Sequence, residues 1–252
     1  GTLSYPVVLY GPDGEQYNIY TAAQSIARTT QRWPMGTQLI QQDGRKYRFA
    51  INGGALLVQG DTIQAAANVA NHVGTTAAAN AVAARTLTTT LGATAATLDQ
   101  YYQGYASISV TPGAGQIYVF DTTPVVSSSG SFVGELAAGQ QIRVALTTTS
   151  RVDLIKNPYH AVIQIPVTTR TGACVGVCVS PIAVDGSGWI QTRGMVSVLT
   201  SGTVIIGDSV MAGTVAAGAA SPVTAAADHQ IGVVQRVAAT TAWSAVILHV
   251  DG

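Results

Sequence analysis

Hydrophobic and polar positions alternate along this chain in short runs, and each run is cut off by Gly, Asp or Ser. Residues 185–213, DGSGWIQTRGMVSVLTSGTVIIGDSVMAG, show the pattern most clearly. Val, Ile and Thr suit a pleated, half-buried surface, and Gly supplies the positive φ that tight turns need. The pattern therefore predicts short antiparallel strands joined by tight turns.

The same grammar runs from end to end. The apolar opening SYPVVLY is followed by the turn Gly11-Pro12-Asp13-Gly14 and the aromatic run QYNIY. Asp43-Gly44 separates MGTQLIQQ from RKYRFAI, which predicts a β-hairpin. RTLTTTL, ASISVT, QIYVFD, QIRVALTTT, HAVIQIPVTTR, GWIQT, GMVSVLT, HQIGVVQRVA and AWSAVILHV read as further strands. Three segments depart from this reading. Residues 21–30, TAAQSIARTT, predict a short helical turn, and so does SRVDLIKNPY, where Ser150 and Asp153 match a helix start and Asn157-Pro158 a stop. Residues 61–98 are Ala-rich but are broken by Asn68, Asn71 and Gly74, and predict an extended arm or long loop. A short echo links GALLVQGDTI (54–63) to GTVIIGDSV (202–210); duplicated barrel modules and a recurring strand-turn grammar both account for it. The fold class that follows is all-β.

Composition changes the picture in one respect. Only 10% of residues are charged, and twelve basic residues balance twelve acidic ones, against roughly 25% charged in ordinary soluble domains. Solubility does not rest on ionic repulsion, and the chain reads as one that lives against neighbours. Without a basic run it lacks the electrostatic footprint of a nucleic-acid binder. No apolar run approaches the ~18 residues of a membrane helix, so neither nucleic acid nor membrane is expected as a partner.

Candidate chemistry is sparse. Cys174 and Cys178 sit four residues apart in an alternating segment, which puts them on one face at ~13 Å. That exceeds the ~7 Å Cα limit for a disulfide, so free buried thiols are expected. The histidines, His72, His160, His229 and His249, are scattered, and no metal or cofactor is expected. Gly130-Ser131-Phe132-Val133-Gly134 has its serine one position early for a nucleophile elbow. Most aspartates adjoin glycine, where turn chemistry explains them. Asp228, His229 and His249 are the best catalytic constellation available, but a turn role suffices for Asp228-His229. Tyr101, Tyr102, Tyr105, Trp33, Trp189 and Trp243 could form a stacking platform; core packing or subunit contact is the preferred reading. The chain reads as a non-enzyme.

The order of motifs carries a resemblance. RKYRFA followed by GGAL (45–56), DQYYQGY (99–105), GQIYVF (115–120), LTTTSRVDLIKNPY (146–159), GWIQTRG (188–194) and a closing IGVVQ together resemble the head decoration, or cement, proteins of tailed bacteriophages, marine phages especially. The resemblance spans about residues 45–250. Residues 1–44 lie outside it and read on their own pattern as an extended N-terminal arm and hairpin region, while the length of the β-rich region over 45–252 leaves room for a second module, with a boundary near 150–185. The resemblance implies β-barrel or β-tulip-like modules. It also implies binding to the major capsid protein on the outer surface of the virion, self-association as a homotrimer, and stabilisation of the shell across capsomer contacts. SYPVVLY can add as a strand to a neighbour's open edge, which makes Tyr5, Pro6, Val7, Val8, Leu9 and Tyr10 the expected contact residues. The alternatives are another virion structural protein (major capsid, tail-tube or head-spike subunit), a glycan-binding adhesin module, and a hydrolase on a β scaffold.

Overall fold

The computed structural model describes residues 8–10, 33–213, 215–225, 228–239 and 242–251. The turn expected at Gly11–Gly14, the run QYNIY and the helical turn expected at 21–30 lie outside them. The chain divides into two compact units, one of them formed by Ala67–Asn157 and inserted into the other.

The inserted unit holds β5 (Thr75–Ala77), β6 (Thr86–Thr90), β7 (Tyr105–Val110), β8 (Ile117–Thr122), β9 (Ser131–Leu136) and β10 (Arg151–Ile155). They close into a six-stranded barrel in the order β10-β5-β6-β9-β8-β7. Alternation decides which side chains fill it: Leu87, Ile108, Tyr118, Phe120, Phe132, Val152 and Leu154 point inward and are fully buried. Gly134 lies on the same inward row, where a Cβ would come within 2.4 Å of the Phe120 ring, so the ring occupies the space a side chain would take. Two inward threonines are satisfied internally, with Thr89 Oγ1 donating to Thr75 Oγ1 at 2.8 Å and Thr75 Oγ1 donating to the Val152 carbonyl at 2.7 Å.

Three expectations fail in this unit. Residues 61–98 are not an arm or loop, because β5 and a 3-10 turn at Ala70–His72 fall within them, besides β6, the strand expected from RTLTTTL. Ala77 and Thr89 are small enough for a narrow barrel interior, so weak hydrophobicity here reflects lack of room rather than lack of structure. SRVDLIKNPY is strand β10, not a helical turn: Val152 and Leu154 alternate inward, and the segment pairs antiparallel with β7. QIRVALTTT forms no strand and contributes only the bridge Asn80↔Leu146.

The other unit comprises β1 (Val8–Tyr10), β2 (Gln38–Ile40), β3 (Lys46–Ile51), β4 (Thr62–Gln64), β11 (Ile163–Gln164), β12 (Cys174–Cys178), β13 (Ser187–Thr200), β14 (Ser209–Ala212), β15 (Ala220–Pro222), β16 (Gln230–Arg236) and β17 (Ala242–His249). β13, β15, β14, β16 and β17 form a five-stranded barrel closed by the β13–β17 pairing. The hairpin expected at Asp43-Gly44 joins β2 to β3. GWIQT and GMVSVLT are one 14-residue strand, β13, in which a register shift between Gln191 and Arg193 keeps the ladder continuous. Its first half pairs with β3 and β12, its second half with β17, so one strand belongs to both the barrel and a flanking sheet. On either side of the insertion, β4 and β11 pair antiparallel, with Gln64 facing Ile163.

One turn recurs throughout. At 34–37, 58–61, 113–116, 127–130, 183–186, 205–208 and 216–219 the fourth amide donates to the first carbonyl, and the next residue opens a strand. The third residue of each turn (Gly36, Gly60, Gly115, Ser129, Asp185, Gly207, Gly218) has positive φ, as a type II turn requires. The echo between 54–63 and 202–210 is this turn, with Gly60 and Gly207 both at φ 88°. Both copies lie in the same unit.

Candidate interaction surface

Of the expected contact residues, Tyr5, Pro6 and Val7 lie outside the described residues. Val8, Leu9 and Tyr10 form β1, which pairs in parallel with β2 in the register Val8↔Gln38, Leu9↔Leu39, Tyr10↔Ile40. Residues 8–10 therefore lie as an added strand on the edge of a sheet of their own chain.

A second surface was not singled out in the sequence. On the outer face of the five-stranded barrel, Met195 stands opposite Ile247 and Ile247 opposite Val233, one row across three strands. The next rows along β13 and β17 pair Ser197 with Ala245 and Leu199 with Trp243. Met195 is 47% exposed and Trp243 51%. Outward positions of a barrel are ordinarily polar or charged, and these are mostly apolar. Trp243 is held in place by its indole N–H donating to the Gln59 carbonyl at 3.2 Å, over Gly60, where a Cβ would come within 2.4 Å of the indole nitrogen. Beside Met195 and Ser197 opens a shallow cavity of about 140 Å³, bounded also by Arg45, Tyr47, Gln59 and Gln191. Gln191 Nε2 donates to the carbonyls of Arg193 and Met195 at 3.0 and 2.8 Å, which fixes the local course of β13.

The titratable groups of the interior are engaged in structure. His72 donates from Nε2 to the Thr94 carbonyl at 2.9 Å, so Nδ1 accepts from the Tyr101 hydroxyl at 2.5 Å. Burial raises the pKa of that hydroxyl. Asp61, 3% exposed, accepts from the Val58 amide at 2.9 Å. Burial raises its pKa, and the bonds from Val58 and Gln164 oppose the shift. Asp228 is a turn residue, accepting from the amides of Thr224 and Ala225 at 2.9 and 2.8 Å, while His249 stands on the outer face of β17.

The cysteines are free, but they do not share one environment. A register irregularity between Cys174 and Gly176 breaks the alternation of β12, so Cys174 packs against one core cluster and Cys178 within another. Burial pushes their thiols up to about 11 and about 12. Among the described residues no three His, Cys, Asp or Glu side chains gather as a metal site. No helix among them is long and apolar enough to cross a membrane. The aromatics separate by role: Tyr101 and Tyr102 are buried, Trp189 packs edge-on to Phe49 at 5.4 Å, and Trp243 lies on the open face.

No protein-family model, curated protein or solved structure matches the chain.

Proposed function

We propose that this chain is a non-enzymatic structural protein of a tailed phage, bound to the outer surface of the assembled capsid and stabilising it across capsomer contacts. The observation that carries the reading is the apolar outer face of the five-stranded barrel, with Met195, Ile247, Val233, Leu199 and Trp243 on a closed β scaffold. A cement protein needs rigid apolar surface repeated on a symmetric lattice, and a closed barrel supplies it without an open edge that would polymerise. The low charge and the motif order that resembles decoration proteins support the same reading. Burial of apolar surface is worth ~25 cal/mol per Å² gross, so an interface of standard size stabilises a seam even after ordering costs.

In this reading the partners are the major capsid protein and further copies of the chain, as a homotrimer. Tyr5–Tyr10 act as the arm: the β1 ladder on β2 is the geometry that a neighbour's segment would adopt. Cryo-electron microscopy of virions that encode the chain tests the proposal. Density on the outer shell bridging capsomers is the expected result. Density in the shell lattice or the tail would indicate another structural role, and no density would place the protein outside the virion. Deleting residues 1–10 should weaken retention on capsids; unchanged retention would remove the arm from the account.

A further inference from the structure

The outer face of the five-stranded barrel has a second property: its fixed charges have one sign. None of the barrel strands β13, β14, β15, β16 and β17 contains Asp or Glu. Arg193 stands on the row next to Met195 and Ile247, opposite His249, and Arg236 stands opposite Ala245 on the row of Ser197. Both arginines are exposed, and neither guanidinium has an ion pair or hydrogen bond with a described residue. A third, Arg45, lines the cavity with its stem against Gly194 and is paired with Asp43 at 2.5 Å. The acidic groups at the margin are Asp43 and Asp251, already engaged by Arg45 and Arg48, and Asp208, in the turn before β14.

An isolated protein gains nothing from an apolar centre flanked by unpaired guanidiniums; a partner of opposite sign does. From this complementarity we infer that the β13–β17–β16 face is the capsid-facing surface. Its partner is a protein patch of the shell that lays apolar side chains over Met195, Ile247 and Trp243 and sets carboxylates against Arg193 and Arg236. The inference rests on the capsid reading above and deepens it by naming the face and the partner's chemistry. Burial of the apolar centre supplies the adhesion. The arginines set orientation and exclude surfaces without carboxylates.

The test uses the full-length chain and capsids of the encoding phage stripped of it, with binding followed by co-sedimentation. Arg193→Glu with Arg236→Glu reverses both charges at exposed positions, and an unchanged melting temperature establishes that the variant is folded. The expected result is an affinity loss of about tenfold or more. Wild-type binding should also weaken as salt rises from about 0.05 to about 0.5 M, while the residual binding of the variant should not. Equal binding by wild type and variant would overturn the docking face and leave the capsid role standing. Failure of the wild type itself to bind would overturn both. A fall in oligomer mass for the variant in sedimentation velocity would identify the partner as a second copy of the chain and overturn the assignment to the shell.

Discussion

Replacing Phe132 with Ala takes the middle ring out of an edge-to-face series inside the six-stranded barrel. Phe132 is 0% exposed, and its centroid lies 5.9 Å from Tyr101 and 5.6 Å from Phe120, at interplanar angles of 83° and 75°. Exposing a buried Phe side chain costs about 1.5–3 kcal/mol, and each edge-to-face contact adds about 0.5–1.5 kcal/mol. The expected loss is therefore about 4 kcal/mol, within the ~3–5 kcal/mol usual for Phe-to-Ala cavities. The inserted unit has roughly 90 residues, for which total stability is about 5–14 kcal/mol, so most of the margin could go. At about 4–8 °C per kcal/mol the midpoint falls by roughly 16–32 °C. Calorimetry measures it, with tryptophan emission as an internal reference, because Trp33, Trp189 and Trp243 all lie outside Ala67–Asn157. Phe132→Leu keeps most of the buried volume but forfeits both edge-to-face contacts, so it should cost about 1–3 kcal/mol. A Phe132→Ala loss below about 1 kcal/mol would refute the account of this core.

Three further outcomes follow from buried groups in the other unit. A carboxyl whose folded-state pKa is raised, as that of Asp61 is by burial, stabilises the fold while protonated and loses that contribution as pH rises through the raised value. Asp61→Asn should therefore be more stable than wild type at neutral pH and flatten the stability profile above about pH 4; urea midpoints across that range decide it, and an unchanged slope would refute it. Gly60→Ala places a Cβ at φ 88° and within 2.4 Å of the Trp243 indole, so a loss above about 1 kcal/mol should accompany a shift in tryptophan emission. Cys174 and Cys178, with thiols pushed up to about 11 and about 12, should react slowly with a thiol-specific disulfide reagent at about pH 8 in the native state, half-buried Cys174 before buried Cys178, and rapidly in denaturant; labelling of Cys178 in the folded protein would contradict its burial.

How much was legible in the sequence depended on the range of the deciding interaction. The Asp43-Gly44 hairpin is local and was readable. β10 was misread because Ser150 and Asp153 imitate a helix start, while pairing with β7, more than forty residues away, determines the outcome. β6 was readable in RTLTTTL, but β5 was missed because small residues suit a tight interior and leave no apolar stripe. The single-face arrangement of Cys174 and Cys178 assumed an unbroken pleat, and an irregularity beside Gly176 breaks it. The outer face at Met195 needed a register that joins β13, β16 and β17. Its signal was nevertheless present: the outward positions Met195, Ser197, Leu199, Trp243, Ala245 and Ile247 carry no charge.

The antiparallel facing of Gln64 and Ile163 has a genetic consequence. The ladder into which Ala67–Asn157 is inserted closes on itself at that point, so the host unit holds its own strands together on both sides of the gap. At the level of the gene this is a cassette site: a short linker could replace the six-stranded barrel, and another barrel could take its place, without re-registering β4 and β11. Lineages carrying such a chain could then exchange one module while keeping the face that the other presents.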